Sequence, residues 1–267
     1  MDSRPRKLEG KRIIITGASD GIGQQIAIDA AREGARIAFC GLPDDDPSET
    51  CNAIRAFGTE PYFEGIDLRQ EEPARQFVRN AIDFLGGLDG VVNNAGRNRY
   101  CGVANSTVED LDWVFATNLQ PGWVISQEAY PALKANGGGV IVFTSSINAK
   151  RSYPGFFPYN MAKAALDALI MSIALEWGKD GIQAVGIAPA MTRTPHAVRH
   201  WDTMPDKGAS RIEQINSFYP LGRMCETTDV SSLAVFLLCG KCKFISGQSI
   251  QLDGGLGAHS GERWQEI

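Results

Sequence analysis

Tyr159 and Lys163 stand four positions apart, a spacing that puts both side chains on one face of a helix. A phenol titrates near ~10 in water and is a poor base at neutral pH. A neighbouring ammonium stabilises the phenolate and lowers that value; a lowering of ~2–3 units corresponds to roughly 3–4 kcal/mol. Such a phenol can accept a proton from an alcohol or return one to a carbonyl oxygen. An ordinary surface Tyr/Lys pair has the same spacing. A second chemical signal is the run Thr16-Gly17-Ala18-Ser19-Asp20-Gly21-Ile22-Gly23, which follows an apolar stretch and opens a helical one. A pyrophosphate fits such a turn, because the free N–H groups and the dipole of a helix N-terminus favour anions. A tight strand-to-helix turn without a ligand would use the same glycines.

The elements that must hold these residues alternate along the chain. β-rich runs lie at Arg12–Thr16, Arg36–Cys40, Pro61–Ile66, Gly90–Asn93, Val140–Thr144, Gln183–Ala188 and Ser249–Leu252. Helical stretches lie between most of them, at Gly21–Glu33, Ser48–Phe57, Glu71–Leu85, Val108–Asn136, Tyr159–Gly178 and Thr227–Leu238. This alternation predicts βαβ units and a parallel sheet. Strands that are nearly continuous apolar runs, such as Ile13-Ile14-Ile15, predict a sheet covered on both faces. Residues 189–223 mix Pro, Thr, His, Trp and Arg without periodicity and read as a lid, a binding loop or a surface excursion.

The glycine turn resembles the TGxxxGxG turn of the short-chain dehydrogenase/reductase family. Further matches follow in order: Asn93-Asn94-Ala95-Gly96 after the fourth strand, Asn118 in the next helical region, and Ser145-Ser146 after the fifth strand. Tyr159-Asn160-Met161-Ala162-Lys163, Pro189 to Thr194, and Asp253-Gly254-Gly255 complete the series. The resemblance covers almost the whole chain. It implies a Rossmann-type doubly wound parallel α/β sheet of about seven strands in three α/β/α layers. It also implies one dinucleotide-binding catalytic domain over residues 1–267, with a substrate loop at about 190–223.

The activity so implied is hydride transfer between a nicotinamide cofactor and an alcohol or carbonyl substrate. The catalytic set carried over is Asn118, Ser146, Tyr159 and Lys163. Tyr159 exchanges the proton, helped by Lys163 and by the positive ring of an oxidised cofactor. Lys163 also bonds the nicotinamide ribose. Ser146, thirteen positions before Tyr159, bonds the substrate oxygen; Ser145 points to the opposite strand face. Asn118 holds a water linking Lys163 to solvent, and Pro121 predicts a disturbed helix there. The cofactor-binding positions are Gly17, Ser19, Asp20, Gly21, Ile22 and Gly23 in the turn, and Asp67 and Leu68 at the adenine. Asn94, Ala95 and Gly96 lie beside the ribose, with Thr192 and Thr194 at the carboxamide.

The second strand normally ends on an acid that reads the ribose 2′-hydroxyl of NAD, or near an Arg that takes the 2′-phosphate of NADP. Here Gly41 and Leu42 stand at that end, and no Arg or Lys follows before Arg55. Asp20 occupies a turn position that is often basic in NADP enzymes, and its carboxylate should repel a 2′-phosphate. NAD is therefore expected in preference to NADP. Two milder departures are Pro189-Ala190 for Pro-Gly, and Gly186 where Asn is common.

Arg97, Asn148, Arg151, Tyr153, His196 and Trp201 are candidate substrate residues. Their polar groups suit a sugar, polyol or sugar acid, and the arginines an anionic group. The aromatic residues suit a hydrophobic ketone equally well. A 3-oxoacyl carrier-protein reductase is the enzyme alternative. A nicotinamide-binding regulator without turnover is the alternative of another class. Leu166, Leu169, Ile170, Ile173 and Leu175 suit either the core or a subunit interface; the family implies a homotetramer.

Composition bounds the rest. The 267 residues include 29 glycines and carry a net charge of −5, which excludes a global basic field for nucleic acid. No apolar run reaches the ~18 residues of a membrane span, and the polar, basic start carries no secretory h-region. Cytoplasmic residence is the expectation. Cys239-Gly-Lys-Cys242 follows an apolar helical run and reads as two thiols in a loop. His196, His200 and His259 show no metal-ligand spacing, so no metal is expected.

Overall fold

Seven parallel strands build the main sheet of the computed structural model, which describes residues 5–258. His259 lies outside the described residues. The strands are β1 (Arg12–Thr16), β2 (Arg36–Gly41), β3 (Tyr62–Gly65), β4 (Gly90–Asn93), β5 (Gly139–Thr144), β6 (Ile182–Pro189) and, later in the chain, β9 (Gln248–Leu252). Their spatial order is β3-β2-β1-β4-β5-β6-β9. A separate two-residue pair joins β7 (Thr192–Arg193) to β8 (Cys225–Glu226).

Alternation along each strand feeds two cores. Ile13 and Ile15 pack with Ile26 and Ala30 of α1 (Gly21–Arg32) and with Val230 and Leu238 of α9 (Thr227–Leu238). Ile14, facing the other way, packs with Phe77 of α3 (Glu71–Leu85), Ile125 of α5 (Gln120–Ala135) and Ile170 of α6 (Tyr159–Trp177). Both faces of the sheet are thereby covered, as its apolar strands require. The short α2 (Ser48–Arg55) follows β2. The chain runs outward from β1 to β3 and returns to place β4 against the other side of β1. Strand order reverses there, so a crevice opens at the carboxyl ends of β1 and β4.

Two regions differ from the sequence expectation. Val108–Asn136 is not one helix: α4 (Val108–Asn118) ends on Asn118, and α5 starts at Gln120 after Leu119 turns to φ −112°, ψ −56°. Pro121 sits in the first turn of α5, where a missing N–H is harmless. The irregular region after β6 contains two further helices, α7 (Pro195–Asp202) and α8 (Ala209–Asn216). They close on a small apolar cluster of their own that includes Ile147, Trp201, Ile215, Tyr219 and Met224. Among the described residues, no helix is long and apolar enough to cross a membrane.

Candidate active site

The carboxyl ends of β1 and β4 are tied into one unit. Thr16 Oγ1 accepts hydrogen bonds from the backbone N–H of Asn94 at 3.0 Å and of Ala95 at 3.1 Å. Asn94 Nδ2 donates back to the carbonyls of Thr16 and Gly17, and its Oδ1 accepts from Thr144 Oγ1 on β5. The Asn94 amide is thus committed to the scaffold. Gly17 turns through φ +63°, a conformation that favours glycine. A Cβ on Gly23 would lie 2.2 Å from the Gly17 carbonyl oxygen, so α1 presses onto the turn. Asp20, the N-cap of α1, makes no capping hydrogen bond with its side chain. The N–H groups of the first turn of α1 therefore face the crevice without a side-chain acceptor from their cap.

Asn118 and Lys163 meet over Gly96. A Cβ there would stand 2.7 Å from Asn118 Oδ1 and 3.4 Å from Lys163 Nζ. Lys163 is buried, and its ammonium donates to the Thr144 carbonyl at 2.8 Å. Nζ lies 5.5 Å from the centre of the Tyr159 ring. Ser146, just past β5, is buried and accepts from the Asn148 N–H at 3.1 Å. Burial pushes the Tyr159 phenol up to about 12, and a hydrogen bond with Ser146 opposes this only in part. Burial likewise brings Lys163 down to about 8, while the Asp167 charge pulls it upward. The lowered phenol expected from the Tyr/Lys spacing is therefore not met by the polypeptide alone, because desolvation outweighs the Ser146 hydrogen bond. Asn118 is fixed to the loop after β4. It accepts from the Arg97 N–H at 3.1 Å and donates to the Arg97 carbonyl at 2.8 Å.

Ser145 and Ser146 diverge. Ser145 Oγ donates to Asp167 Oδ1 at 2.6 Å, and Ser249 Oγ on β9 donates to the same oxygen, also at 2.6 Å. The glycine at position 186 has a physical reason here: a Cβ would fall 1.9 Å from Ser249 Oγ. Asp167, missed in the sequence, was signalled by a carboxylate one turn after Lys163 in a largely apolar helix.

Arg151, Trp201 and Asp20 are engaged within the chain rather than free for a ligand. Arg151 donates to the carbonyls of Leu256 at 3.1 Å and Gly257 at 2.9 Å, so its guanidinium holds a chain turn. Trp201 is buried in the cluster beneath α7 and α8. Asp20 does not present a bare carboxylate, because Arg199 on α7 pairs with it at 2.8 Å. Asp67 is paired with Arg69 at 2.5 Å, which holds its carboxyl below the usual range. Leu68 packs partly buried against the core, and Ile22 does so on the other face. Thr194 caps α7 by accepting from the Ala197 N–H, and Thr192 donates to the Ala190 carbonyl. Arg97 and His196 are exposed. Asn148 is buried and its Oδ1 has no partner. Tyr153 belongs to an aromatic run: its ring lies 5.8 Å from Phe156, which lies 5.4 Å from Tyr100 and 6.4 Å from Tyr159.

Comparison with known proteins agrees with this architecture. A family model described as enoyl-(acyl carrier protein) reductase matches residues 17–257. A tropinone reductase homolog of Arabidopsis thaliana is 34% identical over 256 residues, 96% of each chain. An uncharacterized oxidoreductase of Thermotoga maritima is 30% identical over 247 residues, covering 92% of this chain and 97% of its own. Among solved structures, 7α-hydroxysteroid dehydrogenase in complex with NADH and 7-oxo glycochenodeoxycholic acid superposes with a TM-score of 0.86. Its identity is 29%, with 96% and 97% of the two chains covered. The ligand-free aldohexose dehydrogenase of Thermoplasma acidophilum, 24% identical, shares the fold, with a TM-score of 0.89 over 98% and 100% of the chains. The chain belongs to the short-chain dehydrogenase/reductase family and is an oxidoreductase.

Proposed function

We propose that the chain is one catalytic domain that moves a hydride between a nicotinamide cofactor and a secondary alcohol or ketone. The observation that carries this is Tyr159 hydrogen-bonded with Ser146 and with its ring centre 5.5 Å from Lys163 Nζ, which itself lies with Asn118 beside Gly96 at the crevice where strand order reverses. The residues present fit the cofactor: the α1 N-terminus lacks a side-chain cap, and the hydroxyl of Ser19 is buried without a partner. Gly17 to Gly23 and the 94–96 segment would hold it. When bound, the cofactor supplies or accepts the hydride and, oxidised, adds a positive ring charge. That charge favours ionisation of a phenol that burial otherwise keeps protonated. Tyr159 then exchanges the proton at its oxygen, Ser146 bonds the substrate oxygen, Lys163 supports both electrostatically, and Asn118 positions the loop above them.

NAD is the preferred cofactor in this reading. Its support is the end of β2, where Asp44, Asp45 and Asp46 follow and no Arg or Lys intervenes before Arg55. The Asp20 carboxylate adds little, since Arg199 offsets it. For the substrate, the Tyr100–Phe156–Tyr153 run beside Tyr159 supports a hydrophobic cyclic ketone. A sugar, polyol or sugar acid loses support, because Arg151 and Trp201 are committed elsewhere. A 3-oxoacyl carrier-protein reductase would need a basic surface for its acidic carrier, against a net charge of −5. Cytoplasmic residence fits the six free thiols. A homotetramer fits the exposed Leu175 and Met171 on α6.

The test is a panel of cyclic ketones, secondary alcohols, sugars and polyols, followed at the reduced-nicotinamide absorbance band. Turnover of cyclic ketones with NADH is expected. Turnover of sugars alone would contradict the substrate class, and cofactor binding without any turnover would favour a regulator.

A further inference from the structure

Gly41, the last residue of β2, stands where an acidic side chain ordinarily reads the ribose 2′-hydroxyl of NAD. The space in front of it is already filled. A Cβ on Gly41 would lie 1.8 Å from Ser19 Oγ and 2.7 Å from Asp45 Oδ2. Asp45 reaches that point by a closed turn. Its N–H donates to the Leu42 carbonyl at 3.0 Å, and its Oδ2 accepts from the Leu42 N–H at 2.8 Å. The turn folds the carboxylate back against the strand end, although Asp45 is four residues beyond it. Among the described residues, Oδ1 takes no hydrogen bond, and Asp45 is exposed to an incoming ligand. Beside it, Ser19 Oγ is buried and has no partner. A carboxylate that accepts and a hydroxyl that can both donate and accept thus flank one point at the end of β2.

We infer that Asp45 is this chain's ribose reader, a carboxylate supplied from the β2–α2 turn in place of the missing strand-end acid, with Ser19 as its partner. Gly41 is then the residue that leaves room for both. A ribose 2′-hydroxyl donates to Asp45 and accepts from Ser19. A 2′-phosphate would instead bring like charge against Asp45. The assignment rests on the nicotinamide reading above and gives its NAD preference a residue.

The test is calorimetric titration of the full-length protein and its Asp45→Asn and Ser19→Ala variants with NADH, 2′-deoxy-NADH and NADPH. Wild-type protein should bind NADH about tenfold or more tighter than 2′-deoxy-NADH, the scale of one hydrogen bond to a charged group. In D45N that ratio should fall below about threefold, and the ratio of NADPH to NADH affinity should rise by about tenfold. In S19A the 2′-hydroxyl ratio should fall by a smaller factor, while the preference against NADPH persists. Cofactor binding whose ratios are unchanged in D45N overturns the assignment and leaves the oxidoreductase reading intact. Wild-type protein that binds none of the three overturns both.

Discussion

At the residue scale, the two titratable groups of the site are both displaced toward neutrality by burial. Lys163 falls from its ordinary 10.5 to about 8. Between about pH 8 and 10.5 the unfolded chain holds a proton that the folded chain has released, so this group makes stability rise with pH across that window. Tyr159 rises from 10.0 to about 12, so between those values the folded chain holds the extra proton and stability falls. Thermal unfolding of wild type and Lys163→Met at pH 8 and pH 10 isolates the first effect. Wild type should gain on the variant as pH rises; a constant difference would contradict a lysine whose burial outweighs the Asp167 charge. The Tyr159/Lys163 pair was legible because helical spacing is local. Asp45 was not, since its role depends on a turn that folds it back beside Ser19. Nor was Arg199, whose partner Asp20 lies 179 residues away.

At the element scale, the site is placed by ties between strand ends and α6. Asp167 is the clearest, taking hydroxyl hydrogen bonds from the end of β5 and from β9 on one carboxylate oxygen. Its removal leaves Ser145 and Ser249 unpartnered at the junction that orients Ser146 and Lys163. Asp167→Ala should cost about 2–4 kcal/mol of stability, as expected for hydrogen bonds to a charged group. Urea unfolding measures this through the midpoint at unchanged slope; a loss under about 0.5 kcal/mol would contradict it. The main strands were readable because each is a short apolar run between turn signals, and their observed bounds differ by a residue or so. The split of α4 from α5 was signalled only by Pro121. Helices α7 and α8 were missed because each is eight residues long and is held by the Trp201 cluster, a long-range packing.

At the scale of the whole molecule, two distant parts of the chain meet at one crevice. The glycine turn opens it, and α7 returns to it through the Arg199–Asp20 pair. Of the apolar residues on α6, Leu166, Ile170 and Ile173 are core, Leu169 packs partly against it, and Leu175 is 86% exposed. Core and a free surface therefore share one helix, a division that hydrophobicity alone does not show. The central claim is that this crevice transfers a hydride with Tyr159 as the proton-exchanging group. Tyr159→Phe tests it most directly, with cofactor affinity and turnover measured on the same preparation. NADH affinity should stay within about threefold of wild type, since the role proposed for the phenol is proton exchange with the substrate, while turnover should fall by about 10²–10⁴-fold. Turnover retained in Y159F would contradict the account.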